Sequence, residues 1–114
     1  MSRQSCSVRL VIALLALVGA ATSARADDMP VIKVEMRDGV ILPAVIEVPA
    51  NTRFKLEIAN TGQSPVEFES VELKREKALA AGSTSAIVFR TLDPGTYQVF
   101  DDFHPEAKAA LVAK

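Results

Sequence analysis

The stretch Arg53 to Ile58 leaves its backbone little choice. Phe54, Leu56 and Ile58 alternate with Arg53, Lys55 and Glu57. A period of two puts the apolar side chains on one face and the charges on the other, which only an extended strand does. The segment is therefore a half-buried strand. Shorter runs repeat the pattern: Val66 and Phe68 alternate with Glu67 and Glu69. Val31 to Met36 is rich in β-branched residues and stops at Asp38-Gly39, a turn pair. Ile41 to Val48 is another apolar run, and Pro43 marks it as an edge or bulged strand because proline cannot donate to a ladder. Thr84 to Arg90, Thr96 to Phe100 and Ala109 to Ala113 supply the remaining strands. Ser70 suits a helix N-cap, with Glu72 in the first turn, and predicts one or two helical turns through Lys77. About seven short strands, with turns roughly every eight to twelve residues, predict an all-β sandwich or barrel carrying one short helix. Tryptophan is absent, so the core is mostly aliphatic and its uniqueness rests on Phe54, Phe68, Phe89 and Tyr97.

The first quarter reads differently. Arg3 and Arg9 precede the apolar run Leu10 to Ala20, and Ala24-Arg25-Ala26 matches the small-x-small pattern that signal peptidase reads. The run falls short of the roughly 20 apolar residues of a membrane-spanning helix. Residues 1–26 are accordingly expected to be a secretory signal peptide and residues 27–114 a single domain, exported and not membrane-spanning after cleavage. Three of the 13 basic residues would leave with the signal and all 14 acidic ones would stay, a net charge of −4. That balance argues against a nucleic-acid partner and favours cations as ligands. The one cysteine is Cys6, ahead of the apolar run, so residues 27–114 offer no disulfide, no zinc–thiolate site and no thiol nucleophile.

The turn Asp93-Pro94-Gly95 leads into Tyr97–Phe100, then Asp101, Asp102 and the only histidine, His104. Carboxylates beside an imidazole suit iron, copper(II) or zinc. Adjacent residues of an extended chain point to opposite sides, so Asp101 and Asp102 cannot both face one site.

In this order, VPANTRFKLEIAN, PVEFES and LDPGTYQVF before an acidic loop resemble the cupredoxin fold. The segment VEFES with REK soon after, and DFHP, resemble more closely the cupredoxin-like periplasmic proteins and domains of bacterial iron-uptake systems (the EfeO type). The resemblance implies a Greek-key β-sandwich and a periplasmic location. It also implies a metal ion, iron or copper, and two partners: a periplasmic metal-binding protein and an inner-membrane iron permease. It carries a functional acidic role to Glu67 and Glu69, with Glu67 preferred. It also sets Asp101 where blue-copper proteins have their cysteine, which favours Asp101 over Asp102 as the inward ligand. Without a thiolate, a blue-copper centre is excluded. The metal ligands expected are Glu67, Glu69, Glu76, Asp101, Asp102 and His104. Glu72 and Glu76 would share one face of the short helix, with Arg75 and Lys77 or a cation to neutralise them. Met36 is expected in the core. The function expected is periplasmic metal binding in iron uptake. The competing reading is an acidic docking module without a metal. No spacing nominates a hydrolase, and a contribution to Fe(II) oxidation stays open.

Overall fold

The computed structural model describes residues 29–114; the segment expected to be a signal peptide, with Cys6, lies outside them. Nine strands and no helix are seen among the described residues: β1 Val31–Arg37, β2 Val40–Leu42, β3 Val45–Val48, β4 Phe54–Asn60, β5 Val66–Ser70, β6 Arg75–Leu79, β7 Thr84–Phe89, β8 Gly95–Asp101 and β9 His104–Ala113. They form a four-stranded sheet in the order β2-β1-β4-β7 and a five-stranded sheet in the order β3-β9-β8-β5-β6.

The alternation that opened the sequence reading is fully realised. Phe54, Leu56 and Ile58 on β4 are buried and pack with Val34, Met36 and Ile87 of the same sheet. Val66, Phe68, Val99 and Leu111 meet them from the other sheet. Phe54 stacks on Phe89 with centroids 5.0 Å apart, an offset geometry that adds to burial. Tyr97 is only partly buried, its hydroxyl donating to the Asp93 carbonyl at 2.8 Å. Three aromatics therefore specify the core, with Met36 filling space beside them.

Two expectations need correction. The apolar run Ile41–Val48 is two strands in different sheets, broken around Pro43, so each strand serves as the edge of its own sheet. The helix after Ser70 does not form. Ser70 Oγ does accept from the Leu73 backbone N–H at 3.4 Å, but Lys74 then turns at φ 53° and Arg75–Leu79 returns as β6. Five register pairs with β5 follow, from Val66↔Leu79 to Ser70↔Arg75. One helical turn closes few hydrogen bonds after a costly nucleation, whereas the hairpin closes a ladder at once. The side chain that caps a helix also closes a turn.

Candidate metal centre

The hairpin changes which side chains meet. On β5, Val66, Phe68 and Ser70 face the core, so Glu67 and Glu69 face outward. Glu76 sits directly opposite Glu69 in the β5–β6 register. Glu67, Glu69 and Glu76 each offer a carboxylate oxygen, and these oxygens lie within 4.8 Å of one another. Glu67 and Glu69 are half-buried and Glu76 is exposed, so the cluster opens to solvent on one side.

Its electrostatics are those of crowded anions. Partial burial raises the Glu67 carboxyl above its ordinary 4.5, and the neighbouring Asp102, Glu76 and Glu69 charges push it further, with a hydrogen bond to Glu76. Burial likewise raises Glu69, followed by the Asp102 and Glu76 charges. Asp102 thus belongs electrostatically to this group. Its backbone N–H donates to the Glu67 carbonyl at 2.9 Å, which ties the loop to β5.

Asp101 does something else. It is 1% exposed. Its Oδ1 accepts the backbone N–H of Glu67 at 2.9 Å and of Phe103 at 3.0 Å. Its Oδ2 lies 2.9 Å from His104 Nδ1. The rule that neighbours alternate holds, with Asp101 inward and Asp102 outward. Asp101 faces inward as the cysteine alignment implied, but its oxygens are occupied by the fold. That loop does not fit a blue-copper centre: no cysteine stands among the described residues, and β5 opens there with the buried apolar Val66. His104 begins β9 and pairs with Asp101 in register, outside the glutamate cluster.

The helical pairing of Glu72 with Glu76 also fails, because they sit on different elements. Glu72 instead accepts the Gln98 backbone N–H at 3.0 Å, standing in for a strand past the end of β5. Arg75 and Lys77 do not neutralise Glu76, since strand alternation turns them to the other side. Arg75 lies over the Phe89 ring at 5.1 Å and donates to the Val88 carbonyl at 2.9 Å.

Sequence reasoning missed Asp38 and Ser64. Ser64 Oγ lies 3.4 Å from His104 Nε2 and 3.1 Å from Asp38 Oδ1. Asp38 was legible only as a turn residue, and no local signal joins it to a histidine 66 positions later.

A family model described as a cupredoxin-like domain matches residues 10–113. An uncharacterized protein of Rickettsia prowazekii (strain Madrid E) is 33% identical over 86 residues, spanning 75% of this chain and 69% of that protein. Solved structures are similar in fold. The metal binding domain of the Cu(I) exporting P-type ATPase CopA of Streptococcus pneumoniae D39, solved with Cu(I), aligns with a TM-score of 0.65 at 13% identity, covering 74% of this chain and 84% of that one. Reduced auracyanin from Roseiflexus castenholzii gives a TM-score of 0.60 at 14% identity, with 74% and 96% covered. A purple cupredoxin from Nitrosopumilus maritimus gives 0.55 at 18%, with 72% and 98% covered. At such identities the likeness shows the fold alone.

Proposed function

The chain belongs to the cupredoxin-like domain family, and on that footing we propose that it is a periplasmic metal-binding protein of bacterial iron uptake, holding iron on the outer face of its five-stranded sheet. The ligands are Glu67, Glu69 and Glu76, with Asp102 beside them; Asp101 positions the loop. The observation that carries this reading is the convergence of three carboxylates within 4.8 Å with no lysine or arginine paired to them among the described residues. Hard oxygen donors suit hard cations and favour Fe(III) over Fe(II). Copper(II) is the second cargo such a set accepts. The site is open, so cargo can be passed on without unfolding the sheet. The signal-like segment before Ala26 supports export, and the partners are a periplasmic metal-binding protein and an inner-membrane iron permease.

Titrating the purified protein with Fe(III) citrate and Cu(II), beside a Glu67→Gln/Glu76→Gln variant, tests the proposal. The wild type binds iron and the variant loses at least tenfold in affinity. Wild-type binding weaker than roughly 0.1 mM, or equal binding by both proteins, sinks it. If the face is instead an acidic docking surface, partner capture falls steeply with salt and iron leaves the melting temperature unchanged.

A further inference from the structure

The four-stranded sheet ends at β7 and the five-stranded sheet ends at β6. Arg75 of β6 reaches across to β7, donating to the Val88 carbonyl at 2.9 Å and lying over the Phe89 ring at 5.1 Å. Beside this contact opens a hollow of about 440 Å³. Strand alternation sets Arg75 and Glu76 on opposite sides of β6, so the hollow is not part of the glutamate face. Its lining includes three arginines, Arg53, Arg75 and Arg90, and no acid. Leu73, Phe89 and Leu92, all packed against the core, give it an apolar wall. The volume falls in the range of small-molecule sites, roughly 300–1,000 Å³.

The fold does not balance these three cations. None of them is in a salt bridge among the described residues. Carried one step past Phe54↔Phe89, the β4–β7 register sets Arg53 opposite Arg90, and like charges so paired disfavour the sheet. Residues 27–114 hold more acids than bases, yet none of those acids lines this hollow. Arg75 is also oriented in advance. The Phe89 ring and the Val88 carbonyl hold its guanidinium, and that carbonyl takes only one of the five N–H donors of an arginine.

We propose that Arg53, Arg75 and Arg90 form a seat for a small organic anion carrying two or more carboxylates. A guanidinium presents a planar fork that matches a carboxylate in bidentate fashion, and three forks around one hollow suit an anion with several such groups. The apolar wall decides between carboxylates and inorganic phosphate. Leu73, Phe89 and Leu92 can contact a carbon skeleton, whereas a single tetrahedral phosphate leaves most of the hollow unfilled. The seat makes no use of the glutamate cluster and stands whether or not that cluster takes iron.

Citrate, a tricarboxylate, is the probe. Metal-free protein is titrated with sodium citrate at about 0.15 M salt, which screens diffuse surface attraction, while the arginine Nε–H resonances are followed by NMR. Citrate shifts the resonances of Arg53, Arg75 and Arg90, with a Kd below roughly 1 mM, and acetate and inorganic phosphate bind at least tenfold more weakly. Arg53→Gln/Arg90→Gln, two exposed changes that leave the Arg75–Phe89 contact in place, weakens citrate binding at least tenfold. Lys33→Gln, on the first strand, leaves it unchanged. The proposal is overturned if citrate binds no more tightly than acetate, or if phosphate binds as tightly as citrate. It is equally overturned if the double variant keeps wild-type affinity, or if Lys33→Gln weakens binding as much as the double variant does.

Discussion

Glu69 on β5 and Glu76 on β6 stand directly opposite each other in an antiparallel pair. Like charges directly opposite each other destabilise an antiparallel pair. A sheet that keeps such a pair forgoes stability in exchange for something else, and a bound cation is the natural compensation.

Glu76→Gln should therefore stabilise the metal-free protein while weakening iron. The expected change is a rise of roughly a few degrees in melting temperature for a domain of this size. Calorimetry with and without iron checks it. A variant that melts lower than wild type in both conditions contradicts the assignment.

The pH dependence follows from Glu67 and Glu69, both raised above 4.5 in the fold. The native state holds these protons more tightly than the unfolded chain. Their effect therefore favours the fold at low pH and is lost as pH rises through the raised values. Urea midpoints of metal-free wild type and Glu67→Gln/Glu69→Gln, compared from about pH 4 to 8, should show the variant's advantage growing with pH. Iron should oppose this trend, because binding needs the carboxylates deprotonated.

Removing Asp101 should cost more than removing any surface acid. Asp101→Ala strands the buried N–H groups of Glu67 and Phe103 and releases His104. The expected loss is about 3–5 kcal/mol, measured by urea unfolding. Asp101→Asn should lose less, because it keeps an acceptor for both N–H groups.

Much of this architecture could be read from the chain. β4 follows from the alternation of Phe54, Leu56 and Ile58, and the outward faces of Glu67 and Glu69 follow from Val66 and Phe68. β6 could not be read, because an exposed edge strand such as Arg75–Leu79 buries only its last residue and shows no periodicity. Ser70 misled for a related reason: one hydroxyl-to-amide bond closes either a turn or a helix. Alternation set Asp101 and Asp102 on opposite sides and the resemblance favoured Asp101 as the inward one, but its near-complete burial shows it only in the fold. Asp38 joins His104 through tertiary contacts alone.

The two parallel pairings bear on how the chain reaches this state. β1 runs alongside β4, and β3 runs alongside β9 through Val45↔Ala110 to Val48↔Ala113. Neither partnership closes locally, so β3 has no neighbour until the final strand arrives. Topologies of this kind fold slowly, since distant segments must meet before burial rewards them. A chain stopped before His104 would leave β3 and one side of β8 as bare edges, open to pairing between molecules. The last ten strand residues thus complete the sheet and guard it against self-association.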